Sequence, residues 1–140
     1  EGLLIDESYN ANPASMRAAI DVLSRAPVGK QGRRIAVLGD MLELGAEAAH
    51  RHAELAESLD AGKIGLVLCS GPLMRSLWDA LPSTRRGGYA ESAEALESQV
   101  VGALQGGDAV MVKGSNASGM GRIAKLITQK YGTAPAGNAA

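Results

Sequence analysis

Ile35-Ala36-Val37-Leu38-Gly39-Asp40 decides how the chain reads. Consecutive apolar residues, two of them β-branched, run without period-2 alternation and are closed by glycine and aspartate. The run is too short for a helix and lacks the polar positions of a half-exposed strand. It therefore reads as a strand buried on both faces, the mark of a parallel sheet. The same form recurs on either side. Leu3-Leu4-Ile5 precedes it, and Leu66-Val67-Leu68-Cys69 and Ala109-Val110-Met111-Val112 follow it, with a weaker strand at Gly88 to Ala90.

Between these runs the period changes to that of a helix. Asn12 stands as an N-cap before Pro13, and Met16, Ile20 and Leu23 fall at i, i+4, i+7. A second helix is expected from about Ala46 to Leu59, stopped by Gly62. Pro72 opens a short third one through Leu81, which Pro82 ends. Ser92 caps a fourth that turns Leu96, Val100 and Leu104 inward, and the last runs from about Gly119 to Tyr131 with Ile123, Leu126 and Ile127 apolar. Strands alternating with helices over short loops predict an α/β fold: three layers, a doubly wound and mostly parallel sheet flanked by helices. Residues 1–131 form one domain in this reading, and the small, polar stretch 132–140 is expected to be a disordered tail.

Composition narrows the function classes. The chain has 140 residues, 46% apolar but only 3% aromatic, with no Phe and 24 Ala. Such a core suits close helix-on-sheet packing better than a wide aromatic pocket. Net charge is −1 with both signs dispersed, which leaves no basic footprint for nucleic acid. No apolar run approaches the length of a membrane span. One cysteine excludes a disulfide framework and a multi-cysteine metal site. The chain starts at Glu1 without a signal-peptide pattern and reads as a piece of a longer cytoplasmic protein.

In open α/β sheets ligands meet the loops at the carboxyl ends of the strands, and polar residues crowd three of them. The first is Asp6-Glu7-Ser8-Tyr9-Asn10-Ala11-Asn12-Pro13. An acid just past a strand can bind ribose hydroxyls, and the amides of Asn10 and Asn12 can meet a base edge or phosphate. The same residues also suit an Asx-turn and a helix cap. The second is Gly39-Asp40-Met41-Leu42-Glu43-Leu44-Gly45, where Asp40 either orients a cation, anchors a neighbouring loop, or caps a turn while Leu42 and Leu44 seal the core. The third is Lys113-Gly114-Ser115-Asn116, with the charge and backbone access of an anion site but without the order of a phosphate-binding P-loop. A plain solvated lysine is the alternative. His50 and His52 lie two apart on a helix, cannot share a metal, and are expected at the surface. Cys69 and Trp78 read as core residues.

Together the strings Asp6-Glu7-Ser8-Tyr9-Asn10-Ala11-Asn12-Pro13, Val37-Leu38-Gly39-Asp40-Met41-Leu42-Glu43-Leu44-Gly45 and Val112-Lys113-Gly114-Ser115 resemble the Rossmann-like C-terminal domain of the Mur ligase family, over residues 1–131. The resemblance is to the branch that joins D-alanyl-D-alanine to UDP-MurNAc-tripeptide in bacterial peptidoglycan biosynthesis. It implies a three-domain, cytoplasmic, ATP-dependent enzyme that forms an acyl phosphate and passes it to the dipeptide amine. ATP and Mg²⁺ would be bound mainly by the central domain, so this domain alone is expected to be inactive. Its own partners would be D-alanyl-D-alanine, UDP-MurNAc-tripeptide, ATP, and the central and N-terminal domains, with no nucleic acid and no membrane span.

By the same resemblance, Asp6, Glu7, Tyr9, Asn10 and Asn12 would reach the ribose and adenine of ATP. Asp40, Lys113, Gly114 and Ser115 would bind substrate, with Lys113 the catalytic candidate that steadies developing negative charge. Asn116 stands where the family commonly carries arginine, and Arg122 is the nearby cation. Two other readings stay open on sequence: a related Mur or folylpolyglutamate-type ligase that adds a different amino acid, and a stand-alone binding module.

Overall fold

The structure, a computed structural model, describes residues 2–131; the tail expected at 132–140 lies outside the described residues. In chain order the elements are β1 (Leu3–Glu7), α1 (Pro13–Ser24), β2 (Arg34–Gly39), α2 (Ala48–Ala53), α3 (Leu55–Ala61), β3 (Leu66–Ser70), α4 (Arg75–Ala80), β4 (Arg86–Ala90), α5 (Ala93–Ala103), β5 (Ala109–Lys113) and α6 (Met120–Tyr131). The strands form one five-stranded sheet in the order β1-β5-β2-β3-β4, and every pairing among them is parallel.

The pleat sorts side chains into two cores. Ala36, Leu38, Val67, Cys69 and Met111 pack with Met16, Ile20 and Leu23 of α1, Leu59 of α3 and Leu77 of α4. Their strand neighbours Ile35, Val37, Leu68, Val110 and Val112 pack on the other face with Leu96 and Val100 of α5 and Ile123 and Ile127 of α6. Both faces of β2 and β5 are thus dry, as the unbroken apolar runs require. Each such aliphatic side chain contributes about 1.5–3 kcal/mol by leaving water.

Caps fall where expected. Asn12 Oδ1 accepts from the Ser15 amide at 2.8 Å while Ser15 Oγ accepts from the Asn12 amide at 3.0 Å, a reciprocal capping box with Pro13 in the first turn. Ser92 Oγ accepts from the Ala95 amide at 3.1 Å. The helix expected over 46–59 is instead a 3₁₀ turn at Gly45–Glu47 and two short helices broken at Glu54. The break lets α2 present His52, and α3 Leu55 and Leu59, to one core.

The chain steps from β1 through β4 with α1 to α4 on one face, then returns to β5 with α5 and α6 on the other. Loops after β2 and β5 therefore leave toward opposite faces, and so do those after β3 and β4. Crevices at such switch points are where open α/β sheets bind ligands.

Candidate functional site

Hydrogen bonds stitch the carboxyl edge of the sheet from end to end. Glu7 and Lys113 are register partners across β1 and β5, so the Lys113 ammonium lies 3.5 Å from Glu7 Oε1. It also donates to the Asn10 carbonyl at 2.9 Å and to Asn10 Oδ1 at 3.4 Å. The side chain is only 1% exposed. Burial pushes the Lys113 pKa below its ordinary value, and the neighbouring Glu7 carboxylate opposes that. The expectation turned Lys113 toward an open cleft; the structure places its ammonium under the β1–α1 loop.

Asp40, at the end of β2, is also buried. Its carboxylate accepts the amide N–H of Met74 at 2.9 Å and of Leu73 at 3.3 Å, which caps the turn leading into α4. Of the roles considered for Asp40, the anchor of a neighbouring loop is the one realised. Burial raises its pKa, and the two backbone donors lower it, without outweighing burial. The carboxylate fits only because residue 71 is glycine: a Cβ there would lie 2.4 Å from Asp40 Oδ1, and φ is +112°. The Asp40 carbonyl accepts the Ser115 amide at 3.1 Å, joining the β2 and β5 loops. At their closest approach Gly39 and Gly114 pack backbone to backbone under Met120; a Cβ on Gly114 would lie 2.5 Å from Met120 Cγ. Beyond β3, the Gly71 amide donates to the Ala90 carbonyl at 2.9 Å and Tyr89 Oη donates to the Gly71 carbonyl at 3.0 Å.

A pocket of about 250 Å³ opens along this edge, lined in part by Asp40, Ser70, Gly71, Glu91, Ser92 and Ser118. Asp40 was expected there. The others carry no site signal in the sequence beyond Ser70 and Gly71 following the apolar run of β3 and Ser92 standing as a helix cap. The Ser115 hydroxyl oxygen is buried and has no hydrogen-bond partner among the described residues.

In the first loop, Asp6 Oδ1 accepts the Ser8 amide at 3.0 Å, an Asx-turn, and Asn12 is engaged in its capping box. Tyr9, 55% exposed, and Asn10 present free surface. Leu42 is 40% exposed and does not seal the core, whereas Leu44 packs against it. Arg122 pairs with Glu97 on α5 and does not reach into the third loop's place. Cys69 is buried, with a thiol pushed up to about 12 by burial. Trp78 packs against the core, with the Tyr89 ring 6.0 Å away and Arg86 over its face at 5.3 Å.

One expectation is overturned. His50 is exposed, but His52 is fully buried. Its Nε2 accepts the Met41 amide at 3.0 Å, and Nδ1 lies 2.7 Å from the Ala48 carbonyl. The break at Glu54 turns this face of α2 toward the second loop, which a continuous amphipathic helix did not suggest.

Comparison with known proteins gives a consistent set of relatives. The family described as Mur ligase, glutamate ligase domain, matches residues 1–116. The UDP-N-acetylmuramoyl-tripeptide–D-alanyl-D-alanine ligase of Escherichia coli (strain K12) is 35% identical over 139 residues, covering 94% of this chain and 28% of that protein. The ligase of the same name from Mycobacterium tuberculosis (strain ATCC 25618 / H37Rv) is 33% identical over 143 residues, covering 89% and 28%. The crystal structure of MurF ligase from Thermotoga maritima in complex with ADP superposes with a TM-score of 0.75 at 25% identity, over 92% of this chain and 28% of that one. A crystal structure of MurF from Acinetobacter baumannii gives 0.73 at 30% identity, over 90% and 28%. The chain thus spans under a third of the length of the curated relatives it matches.

Proposed function

The chain belongs to the Mur ligase family, as its glutamate ligase domain, and from that membership we propose that it is the C-terminal domain of an ATP-dependent ligase joining D-alanyl-D-alanine to UDP-MurNAc-tripeptide. In the full-length enzyme, ATP phosphorylates the tripeptide carboxylate to an acyl phosphate. The dipeptide amine attacks that carbonyl, and phosphate leaves from the tetrahedral intermediate.

The observation that carries this reading is the stitched carboxyl edge, where the three loops that bear the family strings converge on one rim beside a polar pocket. The pocket between Asp40, Gly71 and Ser118 has room for a short peptide, and its charged lining residues, Asp40 and Glu91, suit the ammonium end of one. Ser115 brings to the same edge a buried hydroxyl with no partner among the described residues. Lys113 holds the Asn10 segment and contributes positive charge from beneath it. On the first loop, the exposed Tyr9 ring and the Asn10 amide suit the adenine side of ATP, with Asp6 or Glu7 near the ribose.

Among the described residues no group of three or more His, Cys, Asp or Glu side chains converges. The residues here do not fit a protein-built Mg²⁺ cage, and the domain's part needs none: it aligns and encloses. Alignment of two substrates is worth up to about 7–11 kcal/mol of barrier, and closure keeps water from the acyl phosphate.

The test is phosphate release by the full-length protein with ATP, Mg²⁺ and UDP-MurNAc-tripeptide, with and without D-alanyl-D-alanine. Release that depends on the dipeptide is the expected result. Dependence on a single free amino acid instead would move the chain to another branch of the family.

A further inference from the structure

We propose that His52 is a positioning residue for the ligase reaction: its imidazole holds the strand-end loop Gly39–Gly45 in the conformation that sets the dipeptide pocket. The substrate part of this statement rests on the function proposed above; the loop-holding part does not.

The geometry leaves one protonation pattern. A backbone N–H can only donate, so Nε2 must accept from Met41, at 3.0 Å. The proton therefore sits on Nδ1, which donates to the Ala48 carbonyl at 2.7 Å. That second bond lies within α2 and orients the ring. The first leaves the helix and fastens the loop at the residue after Asp40. No water competes for either, since His52 is 0% exposed.

The loop needs such a tether. Glu43 has φ +64° and Gly45 φ +61°, so two of its residues occupy the left-handed region, one of them without glycine's freedom. Leu42 and Glu43 face solvent. Past Met41 the tip has little packing to hold it, yet Asp40 must stay in register to meet Leu73, Met74 and Ser115. Through Met41, one buried imidazole fixes the node from which both neighbouring loops are hung. Asp40 and Leu42 line the pocket; His52 does not line it and acts through them.

Two substitutions separate this role from plain core filling. In His52→Gln the side-chain oxygen reaches the place of Nε2 and still accepts from Met41. In His52→Asn the amide reaches only the place of Nδ1, keeps Ala48, and strands the Met41 amide. Each loses one of the two ring bonds. Asn is also a methylene smaller than Gln, so packing loss alone would speed exchange throughout the core around α2, whereas loss of the Met41 bond speeds it at residues 39–45 selectively. In the full-length enzyme, H52N is expected to raise KM for D-alanyl-D-alanine about tenfold with kcat little changed, the loss carried by one buried amide bond, and H52Q to stay within about threefold of wild type.

Deuterium exchange across residues 39–45 of the same full-length proteins is read in parallel, faster in H52N and near wild type in H52Q. Equal KM and equal exchange in the two variants, or faster exchange in H52N spread over the core and not confined to residues 39–45, would overturn the proposal. If wild type shows no dipeptide-dependent phosphate release, the functional reading falls, while exchange still decides whether His52 holds the loop. Should neither variant fold, exchange in the wild type decides. A Met41 amide as protected as the β2 amides supports the tether, and one exchanging as fast as Leu42 and Glu43 refutes it.

Discussion

Removing the Asp40 carboxylate tests whether the rim is held as described. In Asp40→Ala, two backbone donors lose their acceptor: Met74, buried and 2.9 Å away, and Leu73 at the weaker distance of 3.3 Å. An unpaired buried donor costs about 1–3 kcal/mol, so the pair should cost about 2–4 kcal/mol, less what is regained by no longer burying a carboxylate. Asp40→Asn keeps one oxygen for Met74 and should cost about 1 kcal/mol. Urea unfolding of this chain, followed by far-UV circular dichroism, reads both. With a slope of about 1–3 kcal/mol per molar, D40A should lower the midpoint by roughly 1–2 M.

The pH dependence runs against habit for a carboxylate. Burial raises the Asp40 pKa above 3.8, so the folded chain binds that proton more tightly than the unfolded one. The contribution of this group is then fully present below the unfolded value and is lost as pH rises through the folded one. The stability difference between wild type and D40N should accordingly shift toward wild type as the buffer is acidified toward pH about 4. A D40A midpoint within about 0.3 M of wild type, or a difference that shifts toward wild type as pH rises, would refute the reasoning.

Other outcomes follow from the same geometry. In the full-length enzyme, Lys113→Met should lower turnover at least about tenfold in the phosphate-release assay of the folded protein, and the urea midpoint should fall as well, because Glu7 and the Asn10 carbonyl lose the ammonium that joins them. Asn12→Ala should cost about 1 kcal/mol in urea unfolding through loss of the α1 capping box; a concurrent rise in KM for ATP would show that the cap also faces nucleotide. Cys69, buried and with a thiol pushed up to about 12, should resist iodoacetamide at mildly alkaline pH in the folded chain and react once urea unfolds it. Labelling of the native chain on the same timescale would contradict its burial.

The strands were legible because a run buried on both faces needs no alternation, and the caps at Asn12 and Ser92 because capping is a local contest for orphan amides. What escaped depends on neighbours far away in sequence. Glu7 read as a loop acid and Lys113 as a cleft lysine, yet they are partners across β1 and β5, and only the strand order makes them so. His52 read as a surface residue because its two hydrogen-bond partners, Ala48 and Met41, mean nothing until α2 folds back under the second loop. Glu91 and Ser92 entered the pocket by virtue of where α5 begins relative to β2. Sequence marked the loops that make up the rim; the contacts among them are a property of the topology.

The strand order has a consequence for how the molecule comes into being. Among the described residues β1 pairs with β5 alone, Leu3 opposite Ala109, so the first strand of this domain to be synthesised has no sheet of its own to join until almost the whole domain has followed it. β2, β3 and β4 can assemble as they emerge, since each finds its neighbour within the next few tens of residues. β1, and with it the Asn10 segment that covers Lys113, must wait for the last strand to slot between β1 and β2. Contacts of such long sequence separation form late and slowly. A chain truncated before residue 109 would therefore keep β2 to β4 and the Asp40 bonds to Leu73 and Met74 but lack the Lys113–Asn10 and Ser115–Asp40 links, so that no partly made molecule carries the complete rim.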